Sequence, residues 1–303
     1  MDVYLPIANL AVNGLVIVLL GLGTGILSGV FGVGGGFLTT PLLIFYGVPP
    51  TVAAASAASQ VTGASVSGVF AHSRHGGVDY ELGAVAVVGG IIGAGIGAVL
   101  FRLLQAWGQI DTVIDILYVV LLGTIGALMG RESLHAMGRL GRRRPRAAKR
   151  RHHPLVASLP MRWRFYRSGL YISPLAPLLL GMATGVLTML MGVGGGFILV
   201  PAMLYILGMS ANVVVGTSLF QILFVTIATT MMHALTTHAV DLVLAALLLL
   251  GSVTGAQIGT RIALTARPEL LRLALAVIVL AVALRMAFGL GVRPDEVYTV
   301  VPQ

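Results

Sequence analysis

The chain has 303 residues, of which 57% are hydrophobic and 10% charged, with a mean hydropathy of +0.98. Soluble domains carry about 25% charged residues, so this composition excludes an ordinary water-soluble fold, and the lack of cysteine excludes disulfides, thiolate metal sites and thiol catalysis. A net charge of +9 would suit a nucleic-acid binder, but 12 of the 19 lysines and arginines lie between Arg131 and Arg167, the distribution of a basic loop beside a membrane.

The first half contains five apolar segments, at 8–32, 36–47, 51–72, 80–103 and 110–130. No Asp, Glu, Lys or Arg occurs from Val3 to Ala71 or from Leu82 to Phe101. Apolar runs of about 18 residues or more read as membrane spans. The first segment lacks the basic start of a signal peptide and leads directly into a glycine motif, so it is read as a span.

That motif is Gly34-Gly35-Gly36-Phe37, with Pro41 following. The segment after it, Phe37–Gly47, would make a helix of about 16 Å, roughly half of a ~30 Å hydrocarbon core. The glycines are therefore predicted to lie inside the membrane, where non-helical backbone survives only if it lines a cavity or is buried in protein. A short helix opening at Phe37 would turn its free N–H groups and positive dipole end toward them. The third segment carries Ser56, Ser59, Gln60, Thr62, Ser65 and Ser67, with His72 at its end. The fourth spaces Gly89, Gly93 and Gly97 by four, a stripe for close helix packing.

The basic block follows at 131–168. A second set of apolar segments occupies 170–192, 196–208, 211–236, 241–264 and 268–289. It repeats the first set: Gly194-Gly195-Gly196-Phe197 and Pro201 match the first motif, Gln221 matches Gln60, His233 matches His72, and Asp241 matches Asp79. Gly251, Gly255 and Gly259 match the earlier glycine triple. The eighth segment also holds Asn212, Thr217, Ser218 and Thr226. The chain thus divides into a first repeat at 1–130, a basic cytoplasmic linker at 131–168, and a second repeat at 169–303.

With the linker in the cytoplasm, five crossings per half place Arg74, Arg261, Arg267 and Arg272 inside as well, and both termini outside. An odd number of crossings inverts one repeat relative to the other, a plan found in secondary transporters. The predicted fold is an all-α polytopic membrane protein. It has about ten transmembrane segments in two inverted five-helix repeats, with short or broken helices after the glycine motifs.

Two such helix ends converging near the midplane would form an anion site from Gly34, Gly35, Gly36, Phe37, Gly194, Gly195, Gly196 and Phe197. Gln60, Gln221, Thr217 and Ser218 would be supplementary donors. Close packing alone is the second reading of the glycines, and interhelical hydrogen bonding of the glutamines. His72 and His233 are candidates for proton coupling, or plain interfacial histidines. No carboxylate lies mid-span, which favours a negative substrate over a cation. No HExxH, phosphate-loop or GxSxG motif occurs, so neither an enzyme nor a cofactor or metal is expected. The expected partners are a small anion and, at the linker, anionic lipid headgroups, with no nucleic acid; a homodimer is left open.

The stretch GVGGGFLTTPLLIFYGVPPTVAAASAASQVTGASVSG and its echo GVGGGFILVPAMLYILGMSANVVVGTSLFQ resemble the TauE/SafE family of sulfite exporters, within the toluenesulfonate uptake permease group. The resemblance covers roughly residues 10–130 and 170–290. It implies a bacterial inner-membrane carrier that moves sulfite or small organosulfonates outwards, with two inverted five-helix repeats; alternating access, one repeat rocking against the other, is the expected mechanism. The motif positions it carries over are Gly34, Gly35, Gly36, Pro41, Gly194, Gly195, Gly196 and Pro201. An anion channel constricted at the glycine runs, or a membrane scaffold without transport, are the competing expectations.

Overall fold

A computed structural model describes residues 2–74, 76–138, 162–265 and 268–291. Each half begins with a two-stranded antiparallel hairpin and continues into five helices. In the first half these are β1 (Asp2–Leu5), β2 (Leu10–Asn13), α1 (Gly14–Phe31), α2 (Gly36–Phe45), α3 (Pro50–Arg74), α4 (Tyr80–Ala106) and α5 (Ile110–Gly138). In the second they are β3 (Trp163–Phe165), β4 (Leu170–Ile172), α6 (Leu175–Met191), α7 (Gly196–Tyr205), α8 (Ala211–Thr236), α9 (Leu242–Thr265) and α10 (Pro268–Gly291). Among the described residues six helices, α1, α4, α5, α8, α9 and α10, are long and apolar enough to cross a membrane. The chain is a multi-pass membrane protein, and among the described residues its regular structure is helical apart from two hairpins.

The hairpins have no counterpart in the sequence reading, which begins apolar segments at 8 and 170. Here Leu10–Asn13 and Leu170–Ile172 are strands. Leu5, Val12, Phe165, Leu170 and Ile172 are buried, so each hairpin plugs one apolar side into the bundle. Helix α5 continues to Gly138 and β3 begins at Trp163. Residues 139–161, the greater part of the basic linker and of its expected headgroup-binding surface, lie outside the described residues, as does Arg267.

Both hairpins are anchored by a buried aspartate of the opposite half. Asp79 Oδ1 caps α4 by accepting from Leu82 N–H at 3.1 Å, and its Oδ2 accepts from Ser168 N–H in the second hairpin at 3.0 Å. Asp241 Oδ1 caps α9 by accepting from Val243 and Leu244 N–H at 3.1 Å each, and its Oδ2 accepts from Ile7 N–H in the first hairpin at 3.0 Å. Each aspartate's own N–H donates to a hydroxyl of the other half, Thr217 Oγ1 at 2.9 Å and Ser56 Oγ at 3.1 Å. A helix N-terminus and several N–H donors offset the cost of burying a carboxylate without a cation.

The first hairpin packs with Val48, Val52 and Ala53 at the Pro50 end of α3. The second sits on Asp79, just past the Arg74 end. They therefore lie at opposite ends of α3, about 37 Å apart along a helix of 25 residues.

Long helices pair mainly across the repeats: α1 with α9, α4 with α6, α5 with α10 and α3 with α8. Glycines allow the first two contacts. A methyl group on Gly21 would lie 2.5 Å from the Leu248 carbonyl oxygen, and one on Gly25 or Gly29 would strike the Ser252 or Ala256 carbonyl. In return Gly251, Gly255 and Gly259 face the carbonyls of Val18, Leu22 and Ile26, and on the other pair Gly89 and Gly93 face those of Leu178 and Met182. These glycine triples serve backbone-to-backbone packing.

Candidate functional site: two glycine runs meeting at the bundle centre

Gly32 and Gly192 end α1 and α6 in the left-handed conformation, with φ of 68° and 69°. Their N–H groups donate to Ser28 and Thr188 carbonyls at 2.8 Å. The chain then reverses through Gly34 and Gly35 (φ 88° and 72°) and through Gly194 and Gly195 (φ 77° and 72°). Four glycines at positive φ in two equivalent places are what the sharp reversal requires, since a Cβ there is strained.

The short helices α2 and α7 then run back along α1 and α6. A methyl group on Gly35 would meet Thr24 and Ser28, and one on Gly195 would meet Thr184 and Thr188, so each reversal lies beside the body of the preceding helix. At the far end of α2, Tyr46 Oη accepts from Asn13 N–H at 3.3 Å, returning the chain to where α1 began. Ten residues make about 15 Å of helix, so α1 and α2 form a helical hairpin with a short second arm, which the sequence reading counts as two crossings. The parity of each half is the same either way, because a hairpin and two crossings both return the chain to its starting side.

The two reversals meet. A methyl group on Gly36 would lie 2.5 Å from the Gly192 carbonyl oxygen, and one on Gly196 would lie 2.5 Å from that of Val33. Phe37 and Phe197, the next residues of α2 and α7, stack with ring centroids 4.5 Å apart. Val61 from α3 and Ile222 from α8 cover both Gly34 and Gly194. Leu38 and Thr39 N–H turn back to the Gly35 carbonyl, and Ile198 and Leu199 N–H to that of Gly195; Phe37 and Phe197 N–H bond no carbonyl among the described residues.

Gln60 and Gln221 are fully buried one step behind the glycines. Gln60 Nε2 donates to Thr24 Oγ1 at 3.1 Å and Gln221 Nε2 to Thr184 Oγ1 at 3.3 Å. The threonine hydroxyls already donate to the Leu20 and Gly181 carbonyls, each at 2.9 Å, so they can only accept from the amides. That leaves Gln60 Oε1 and Gln221 Oε1 buried without a donor.

The other expected site residues are more dispersed. Ser218 Oγ reaches the Gly32 carbonyl at 3.3 Å and so adjoins the first run. Thr217 is engaged by Asp79 at the mouth of α4. His233 is buried, its Nε2 2.9 Å from the Met189 carbonyl and its Nδ1 3.2 Å from Thr237 Oγ1, with Phe101 edge-on to the ring. His72 is half-buried near the end of α3, its Nδ1 3.0 Å from the Gly68 carbonyl.

The sequence reading missed Thr24, Thr184, Thr40 and Tyr118. Thr40 Oγ1 and Tyr118 Oη both donate to the Met191 carbonyl, at 3.3 and 2.6 Å, holding the end of α6 where the second run starts. Thr24 and Thr184 stand 160 residues apart, the same interval as the two motifs, so the repeat itself carried that signal.

A family model described as "Sulfite exporter TauE/SafE" matches residues 17–286. A "Probable membrane transporter protein YjnA" of Bacillus subtilis is 28% identical over 270 residues, covering 89% of this chain and 98% of that protein. A "Probable membrane transporter protein" of Xylella fastidiosa strain Temecula1 is 28% identical over 264 residues, covering 86% and 89%. No solved structure matches the chain.

Proposed function

Because the chain belongs to the sulfite exporter TauE/SafE family, we propose that it is a carrier of a small oxyanion, sulfite or an organosulfonate, bound between the Gly34–Gly36 and Gly194–Gly196 runs. The observation that carries this reading is the meeting of the α2 and α7 N-termini in stretches without formal charge. Each helix end presents about half a positive charge, so two of them balance about one negative charge with no buried cation. Backbone N–H groups would supply the donors, as at other helix-end anion sites.

The two orphaned acceptors, Gln60 Oε1 and Gln221 Oε1, favour a substrate that brings a hydrogen of its own. Bisulfite, the protonated monoanion of sulfite, and amino sulfonates both do so. An unmet buried acceptor costs about 1–3 kcal/mol, which substrate or water must offset.

Transport is read as alternating access with the repeats inverted in the membrane and the linker cytoplasmic, supported by the hairpins at opposite ends of α3 and by the basic residues. Cross-repeat pairing implies that the moving bodies are mixed: α1, α2, α3 and α9 against α6, α7, α8 and α4. The closely packed centre favours a carrier over an open channel. Sulfite flux into liposomes tests the site: Gly35→Leu and Gly195→Leu should each abolish it, and unchanged flux in both would sink the reading. Counterflow stimulated by substrate on the far side is the result expected of a carrier and denied to a channel.

A further inference from the structure

A cavity of about 430 Å³ lies between α3 and α9, away from the glycine runs and lined by Ser67, Ala71, Arg74, Ala256, Gln257, Thr260 and Arg261. Two guanidinium groups and the polar groups of Ser67, Gln257 and Thr260 share it, and no carboxylate is among its lining residues. Arg74 ends α3 and Arg261 lies in the last turns of α9, so the cavity sits where these helices approach the membrane surface.

The repeat provides an internal comparison. Carried through the register of the second half, Ser67 corresponds to Ala228, Arg74 to Leu235, Gln257 to Gly95, Thr260 to Ala98 and Arg261 to Val99. Every polar or charged lining residue has an apolar or glycine counterpart. A topology signal alone would account for the two arginines, but it gives no reason for Ser67, Gln257 and Thr260 to differ with them. Leu235 and Val99 are 70% and 62% exposed at the other end of the bundle, the exposure of lipid-facing residues. Phe70 and Ile258, next in sequence to the lining residues Ala71 and Gln257, are also exposed, so α3 and α9 both carry apolar surface beside the residues that line it.

We propose that Arg74 and Arg261 hold an oxyanion group in this cavity, with Gln257, Ser67 and Thr260 as further donors. Guanidinium forks match the oxygens of phosphate, sulfite and sulfonate groups. The group comes either from an anionic lipid whose chains lie along Phe70 and Ile258, or from free substrate gathered at the mouth of the protein. Ala256 and Thr260, on its wall, back directly onto Gly29 of α1, one turn before the first glycine run. The site does not depend on which anion the carrier moves.

The test uses the full chain purified in a nonionic detergent and follows its thermal unfolding midpoint. Phosphatidylglycerol, uncharged diacylglycerol, sodium sulfite and sodium sulfate are titrated separately. Wild type and Arg74→Gln/Arg261→Gln are compared, with Arg74→Lys/Arg261→Lys as the charge-preserving control. The expected result is stabilisation of wild type that needs at least tenfold more ligand in the glutamine variant and is partly kept in the lysine variant. Stabilisation by phosphatidylglycerol and not by diacylglycerol identifies a lipid headgroup; stabilisation by sulfite or sulfate identifies a soluble anion. Equal responses of wild type and the glutamine variant to every ligand overturn the proposal, as does a wild type that none of them stabilises. Loss of liposome sulfite flux in Gly35→Leu with this stabilisation intact would separate the cavity from the central site.

Discussion

Phe37 and Phe197 stack nearly parallel, their planes 9° apart and their centroids 4.5 Å apart, so the first side chains of the two short helices touch across the repeat boundary. The two helix ends thereby share one fixed spacing. Truncating either ring to alanine is expected to cost about 3–5 kcal/mol. The double variant should cost less than the sum, by about 0.5–1.5 kcal/mol of ring–ring coupling. A double-mutant cycle on unfolding in micelles reads this directly, and strict additivity would show that the rings do not meet.

Two classes of glycine should answer differently to alanine. Gly93 opposes the Met182 backbone and Gly255 the Leu22 backbone, so Gly93→Ala and Gly255→Ala should lower stability by about 1–3 kcal/mol through overpacking. Gly36 and Gly196 are also tight, yet they stand where α2 and α7 open. For Gly36→Ala and Gly196→Ala sulfite flux should fall more than thermal stability predicts, compared at matched melting midpoints with Gly93→Ala. An identical flux–stability relation in both classes would assign all these glycines to packing.

Asp79 and Asp241 each accept hydrogen bonds with both carboxylate oxygens, one oxygen facing the cap and the other a hairpin N–H. Asparagine can keep the cap, but its NH2 would then face the N–H of Ser168 or Ile7. Asp79→Asn and Asp241→Asn should therefore each cost about 1–3 kcal/mol. Hydrogen exchange should quicken at Ser168 in the first variant and at Ile7 in the second, and unchanged exchange at these amides would count against the anchoring role.

The glutamine acceptors give a prediction about substrate form. Gln60→Leu and Gln221→Leu remove the orphaned oxygens while leaving the glycine runs untouched. Transport of a donor-bearing anion should fall about tenfold, the effect of losing roughly 1.4 kcal/mol of binding, while transport of a fully substituted aryl sulfonate should fall less. Competition assays in liposomes compare the two, and equal losses would detach the amides from substrate recognition.

Much of this arrangement was legible in the sequence because hydrophobic length and repeat register are local quantities. Helix α2 at Gly36–Phe45 and helix α8 at Ala211–Thr236 follow the apolar segments closely. The meeting of the two glycine runs also follows, given a duplicated motif at half-span depth. The hairpins were hidden, since strands of three or four residues flanking an apolar run have no period of their own. The roles of Asp79 and Asp241 were hidden for a different reason. A carboxylate at a segment end reads as a surface residue, and only the tertiary fold brings Ser168 and Ile7 over it. Thr217 matched a polar pattern that suggested a cavity, and the hydrogen bond its Oγ1 accepts from Asp79 N–H lay outside that pattern.

The exchange of partners between halves bears on how the protein is made. As synthesis proceeds from the N-terminus, α1 enters the bilayer with a glycine face whose complement, α9, has not yet been translated; α4 likewise waits for α6. A glycine face leaves backbone carbonyls thinly covered, and lipid offers them no hydrogen bond. The first half alone is thus an unfinished bundle, with its complementary surfaces encoded downstream. Two polypeptides split within residues 139–161 should restore each other when co-translated, whereas either one alone should be degraded. The order of translation therefore sets the order of assembly, with the second repeat completing surfaces that the first leaves open.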